Sequence, residues 1–117
     1  MGIGIDLIEV SRIEAAISRR PGFAERVFSK GELEYANSRK RPAMHLAARF
    51  AAKEAARKAL GLGGLAFHEV EVVREDDGRP GLRLSGRSAE RADELGVTLE
   101  VSLTHTRETG AAVVVTR

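Results

Sequence analysis

The stretch Ala43-Met44-His45-Leu46-Ala47-Ala48-Arg49-Phe50-Ala51-Ala52-Lys53-Glu54-Ala55-Ala56-Arg57-Lys58-Ala59-Leu60 decides the fold. It is dominated by Ala, Leu, Lys, Arg and Glu, all strong helix formers, and Gly61 and Gly63-Gly64 stop it. One long helix over residues 43–60 is predicted. Alanines at 47, 48, 51, 52, 55 and 56 leave little side-chain bulk, so another backbone or a ligand can approach closely. Positions three and four apart share a helix face, which aligns Phe50, Glu54 and Lys58. An exposed Glu54–Lys58 pair in this order is worth ~0.3–0.5 kcal/mol and would by itself account for both residues.

Upstream, residues 2–8 (GIGIDLI) predict a short buried strand, apolar apart from its glycines and Asp6. A carboxylate there is costly unless it is paired, hydrogen-bonded or bound to a metal. Asp6 could also cap the helix that follows. Ser11-Arg12-Ile13-Glu14, however, already has the spacing of a capping box, predicting a helix from about Arg12 to Arg19 that Pro21-Gly22 ends. Two awkwardly placed acids, Asp6 and Glu54, could together hold a hard cation such as Mg²⁺, which prefers oxygen ligands and completes its shell with water and substrate phosphate.

A second capping box, Ser29-Lys30-Gly31-Glu32, predicts a short helix to about Ser38, followed by the basic loop Arg39-Lys40-Arg41-Pro42. Beyond the long helix, strands are predicted at 67–74 and 82–84 around the turn residues Asp77-Gly78 and Pro80-Gly81. A small helix at 88–95 stops at Gly96, and two strands, 97–103 and 111–115, close the chain. Between them residues 104–110 form a loop long enough to work at a site. The predicted fold is α+β, an antiparallel sheet packed against one long helix and several shorter ones.

A length of 117 residues predicts one domain over 1–117. Apolar residues make up 43% but aromatics only 4%, so the core is filled by Ala, Val, Leu and Ile, and burial completed at a subunit interface predicts a homo-oligomer. The absence of cysteine excludes disulfides and thiolate metal sites, leaving oxygen or imidazole ligands. No leader pattern and no window near ~18 apolar residues is found, which predicts a soluble, cytoplasmic protein without a membrane partner.

The net charge is only +2, yet Arg12, Arg19, Arg20 and Arg26 crowd the first quarter, and Arg39, Lys40, Arg41, Arg49, Lys53, Arg57 and Lys58 the next. Such surfaces attract nucleic acid, phosphorylated small molecules or acidic proteins, or are solvated helix faces. Five aromatics, four Phe and one Tyr, are too few for base stacking, so nucleic acid is not expected as a partner. Phosphate-loop, dinucleotide and nucleophile-elbow motifs are absent from the sequence. His105 lies in the predicted loop, where Thr104 and Thr106 can orient it or donate to a phosphate; a lone loop histidine is also common surface decoration.

Gly4-Ile5-Asp6, Phe50-Ala51-Ala52-Lys53-Glu54-Ala55-Ala56-Arg57-Lys58 and Ser102-Leu103-Thr104-His105-Thr106 occur in this order, and together they resemble the three motifs of the 4′-phosphopantetheinyl transferases. The chain length and Phe23-Ala24-Glu25-Arg26-Val27-Phe28 resemble the holo-acyl-carrier-protein synthase branch. The resemblance implies transfer of phosphopantetheine from coenzyme A to a serine of apo acyl carrier protein, releasing adenosine 3′,5′-bisphosphate. It implies that Asp6 and Glu54 bind Mg²⁺, that Lys58 contacts phosphate, and that Arg49, Lys53, His105 and Thr106 contact coenzyme A. Arg12, Arg19 and Arg26 would face the acidic carrier protein, although Gly22 replaces a basic residue that some relatives have. For the serine proton, the candidates are Glu54, His105 or a metal-bound water activated by an acid such as Glu34, which stands where some relatives place Asp. The branch further implies a homotrimer with interfacial sites. A competing reading of the basic helices is a non-catalytic module for acidic proteins or phosphorylated ligands.

Overall fold

The computed structural model describes residues 2–64 and 66–117. Strand β1 (Ile3–Glu9) runs directly into α1 (Val10–Arg19), followed by α2 (Phe23–Val27), α3 (Lys30–Asn37) and the long α4 (Pro42–Leu60). The chain continues through a 3₁₀ turn (Phe67–Glu69), β2 (Val70–Arg74), β3 (Pro80–Leu84), α5 (Gly86–Leu95), β4 (Leu99–His105) and β5 (Thr109–Thr116). The α+β expectation and the long helix hold. Strand pairing is antiparallel throughout but divided between a three-stranded sheet, β1-β5-β4, and a separate β2-β3 hairpin.

Helix α4 lies across the inner face of the three-stranded sheet, and the alanines explain how closely. Ala47, Ala48, Ala51, Ala52, Ala55 and Ala56 are buried, presenting methyl groups where larger side chains would hold the layers apart. The sheet answers with glycine. A Cβ at Gly4 would overlap the Ala55 carbonyl oxygen, and one at Gly110 would lie 2.6 Å from the Ala48 nitrogen. The backbone that approaches the alanine stripe is therefore that of β1 and β5. Because side chains alternate along a strand, the inward set Gly4, Asp6 and Ile8 places Asp6 against α4.

The outward set of β1 behaves oppositely. Ile3, Ile5 and Leu7 are 69%, 68% and 69% exposed, and their register partners on β5 are Val115, Val113 and Ala111. This face of the sheet is an apolar stripe in water, and its three aliphatic side chains are more exposed than Ile17 of α1 or Leu95 of α5.

Three local expectations change. Helix α1 begins at Val10, with Glu9 as its N-cap and no side-chain cap, so Ser11 falls inside the first turn and does not form the predicted capping box. The Val10 amide instead donates to the Glu108 carbonyl oxygen at 2.8 Å. The box at Ser29–Glu32 does form, Ser29 Oγ accepting from the Glu32 amide and Glu32 Oε1 from the Ser29 amide. Residues 67–69 are a 3₁₀ turn, not strand. His105 belongs to β4, so the predicted loop of 104–110 shrinks to a turn of Thr106, Arg107 and Glu108, closed by Thr106 Oγ1 accepting from the Glu108 and Thr109 amides.

Candidate functional site

Two clusters of charged side chains flank α4. In the first, Asp6 from β1 and Glu54 from α4 are brought together, and Lys58 reaches back over β1 to join them. Lys58 Nζ donates to the Ile5 carbonyl oxygen at 2.9 Å and to Asp6 Oδ1 at 3.2 Å. The i,i+4 surface pair is thus not what Lys58 forms; it bridges helix to strand. Glu54 is half-buried, and burial, followed by the Asp6 charge, raises its pKa, while Arg57 and Lys58 act the other way. Two carboxylates this close repel, and Lys58 compensates only in part. Their oxygen donors fit a hard divalent cation. Among the described residues no group of three or more His, Cys, Asp or Glu side chains could hold a metal, so water and phosphate oxygens must fill the remaining positions of any cation held here.

Beside this pair, Ile8, Ile13, Phe23 and Phe50 floor a groove of ≈ 310 Å³ whose rim carries Arg12, Arg19 and Arg20. Two of its lining residues neighbour the carboxylates in sequence: Ile8 follows Asp6 on the inner face of β1, and Phe50 precedes Glu54 by one turn of α4. Arg12 and Arg19 recur one heptad apart on α1 and share a side of it. Arg26 is exposed and turned aside, its Nη1 donating to the Pro21 carbonyl oxygen at 3.1 Å.

The second cluster centres on Tyr35 of α3. The guanidinium carbons of Arg39, Arg49 and Arg74 lie 4.7, 4.2 and 5.3 Å from its ring centroid, and Arg74 Nη1 donates to its hydroxyl at 3.1 Å. His45 packs edge-on to Tyr35, and His105 edge-on to His45 with ring centroids 5.1 Å apart. Burial holds Arg49 below its ordinary range, opposed by Tyr35 and Glu32, and Arg49 Nε is buried without a hydrogen-bond partner among the described residues. Burial and the charges of His105, Arg49 and Arg39 likewise lower His45. Cations crowded around one phenol ring make a receptive place for an anion.

Sequence reading named Arg49 and His105 here and missed Tyr35, His45 and Arg74. The usable signal was weak: Tyr35 is the only tyrosine and stands one turn beyond Glu32 on a predicted helix. Two expected site residues, Lys53 and Glu34, belong to neither cluster's open face. Lys53 has no exposed surface, and its ammonium lies 2.8 Å from Glu32 Oε1, so it cannot touch coenzyme A as expected without leaving the core. Glu34 is exposed on α3, with its carboxylate 4.0 Å from Lys30 Nζ. His105, against His45, is separated from Glu54 by nine helix positions, about 13–14 Å along the axis at a rise of 1.5 Å per residue. One chain therefore does not assemble all the expected groups.

This architecture, a three-stranded sheet wrapped on an alanine helix with an acid from each, defines a class. Residues 2–114 match the 4′-phosphopantetheinyl transferase superfamily, and the chain belongs to that superfamily. Within it the chain is similar to the holo-[acyl-carrier-protein] synthases. It is 50% identical to that of Streptomyces avermitilis, covering 98% of this chain and 95% of the relative. Identity to that of Moorella thermoacetica is 49%, covering 94% and 88%. Among solved structures, a Chronobacterium ammoniagenes ACPS–CoA complex superposes with a TM-score of 0.85 at 32% identity, covering 99% of this chain and 96% of that one. A Bacillus anthracis holo-(acyl-carrier-protein) synthase in complex with CoA (3′,5′-ADP) gives 0.78 at 37%, covering 98% and 94%. No helix among the described residues is long and apolar enough to cross a membrane.

Proposed function

We propose that this chain transfers 4′-phosphopantetheine from coenzyme A to a serine of apo acyl carrier protein, as a holo-[acyl-carrier-protein] synthase. The observation that carries the reading is the meeting of Asp6, Glu54 and Lys58 across β1 and α4, at the two motifs shared with the family. The serine oxygen forms a bond to the β-phosphorus of coenzyme A, the bond from that phosphorus to the bridging oxygen breaks, and adenosine 3′,5′-bisphosphate leaves.

Asp6 and Glu54 would hold Mg²⁺ by carboxylate oxygens, and Lys58 would turn to the pyrophosphate. When bound, the metal supplies charge neutralisation at the transferring phosphoryl group. Lys58 adds a mobile point charge on an exposed stem, suited to following a phosphate. The candidates for the serine proton are Glu54, His105 or a metal-bound water activated by an acid such as Glu34, and of these three side chains Glu54 is the one coupled to Asp6 within one chain.

The Tyr35 cluster would take the other phosphate of coenzyme A, through Arg49 and His105, with Thr106 at the adjoining turn. Since His105 lies far along α4 from its own Glu54, a neighbouring chain completes each site in this reading. The exposed Ile3, Ile5 and Leu7 stripe supports such an assembly, because large aliphatics at nearly seventy per cent exposure gain by covering one another. A homotrimer with interfacial sites would meet both requirements. The groove rimmed by Arg12 and Arg19 suits an acidic, amphipathic helix of the carrier, and Arg26 would join by swinging away from Pro21.

The test is mass spectrometry of apo carrier protein incubated with coenzyme A, Mg²⁺ and this chain. Gain of one phosphopantetheine is expected. No gain across several carriers overturns the reading, and sedimentation at a monomer mass overturns the assembly.

A further inference from the structure

Glu32 and Lys53 form an ion pair with both side chains wholly inaccessible to water. Its bonding is complete. Glu32 Oε1 accepts from the Ser29 amide at 2.8 Å and lies 2.8 Å from Lys53 Nζ, while Oε2 accepts from the Val72 amide at 2.7 Å. Lys53 Nζ donates to the Val70 carbonyl oxygen and, at 3.3 Å, to that of Phe67. The carboxylate thus serves a backbone N–H on each of two elements, one oxygen apiece. The carboxylate places one acceptor oxygen at each of the two amides in a single rigid group, and Lys53 is its countercharge.

One turn along, the same three elements meet again. Tyr35 follows Glu32 by three on α3, Arg49 precedes Lys53 by four on α4, and Arg74 follows Val72 by two on β2. The first rung, Glu32 with Lys53 and Val72, is buried and ionic. The second, Tyr35 with Arg49 and Arg74, is the arginine clamp on the rim. Three guanidiniums around one ring repel one another against the ring contacts and the Arg74–Tyr35 hydrogen bond that gather them, so the clamp's geometry depends on a rigid support behind it. We infer that the buried Glu32–Lys53 pair is a positioning device for the Tyr35 arginine clamp, making Lys53 a residue that acts on nucleotide binding through α3 and β2 without touching the ligand. The inference rests on the assignment of the clamp to a coenzyme A phosphate.

The test measures binding of adenosine 3′,5′-bisphosphate and, separately, of Mn²⁺ as a probe of Asp6 and Glu54, in full-length Lys53→Met, Lys53→Arg, Tyr35→Leu and the combined variants. Lys53→Met is expected to weaken nucleotide binding by about tenfold with Mn²⁺ binding held within about twofold. Lys53→Arg should recover part of the nucleotide loss, and adding Tyr35→Leu to either Lys53 variant should add little, because both changes act on one clamp. If Lys53→Met does not fold, the Lys53→Arg and Tyr35→Leu cycle carries the test. Unchanged nucleotide binding in a folded Lys53 variant, equal losses of nucleotide and Mn²⁺, or additive losses with Tyr35→Leu overturn the inference while leaving the function intact. Failure of the unmodified protein to bind the nucleotide overturns both.

Discussion

Arg49 and Lys53, and Glu54 and Lys58, are two charged pairs at the same spacing on the same helix, and the fold uses them in opposite ways. The first pair faces α3 and β2 and is buried; the second faces β1 and meets water. Five positions rotate the helix by about 140°, enough to carry a side chain from one layer to another. A buried ammonium must be bonded on all sides, which commits Lys53 to Glu32 and backbone carbonyls. Lys58, 54% exposed at its side chain, holds Asp6 loosely and stays available. Helical spacing alone cannot tell such lysines apart, because what differs is the neighbour each meets.

The comparison is most sharply tested at Glu54. Glu54→Gln is expected to lower transfer by about 10²–10³-fold with an unchanged circular dichroism spectrum, the size of loss typical when a group that stabilises developing charge is removed. Turnover close to normal would take Glu54 out of the site. Next in size is the contrast between the lysines in chemical denaturation. Lys53→Met should lose about 3–5 kcal/mol, since it strands the buried Glu32 carboxylate, whereas Lys58→Met should change stability by less than about 1 kcal/mol and reduce turnover instead. Equal stability losses would erase the distinction between the faces.

A smaller effect is expected on the groove side. Arg12→Glu should raise the Michaelis constant for the carrier by about tenfold while leaving that for coenzyme A unchanged. A matching rise for coenzyme A would move Arg12 away from carrier docking. The smallest effect concerns protons. Glu54 has a raised pKa in the fold, so between its unfolded and folded values the native state binds the extra proton, and stability falls as pH rises through that window. In EDTA, Glu54→Gln should therefore raise the melting temperature near about pH 8 and leave it unchanged near about pH 4. A variant less stable at the higher pH would show that Lys58 and Arg57 outweigh burial and Asp6.

Legibility followed the range of the forces involved. The long helix, its glycine stop and the capping box at Ser29 depend on neighbours within a few residues, and all were readable. Failures of local reading arose where distant chain intervened. Ser11 lost its cap because Val10 finds the Glu108 carbonyl oxygen, and residues 104 and 105 became strand because they pair with β5. Motif order names Asp6 and Glu54 together, while their electrostatic coupling arises only where β1 crosses α4. Lys53 was misread as a ligand contact because the same motif contains it.

The sequence by itself determined an alanine-striped helix, a glycine-bearing first strand and an acid on each, since propensity, periodicity and motif order are properties of the chain. Only the tertiary structure decided that glycine at positions 4 and 110 lets the sheet rest on that helix, that Lys58 spans to Asp6, and that Lys53 sinks onto Glu32. These contacts join residues up to 62 positions apart, as with Ala48 and Gly110, and depend on which faces of two elements meet. Burial then sets their chemistry, because whether an ammonium is desolvated or free is a property of its surroundings.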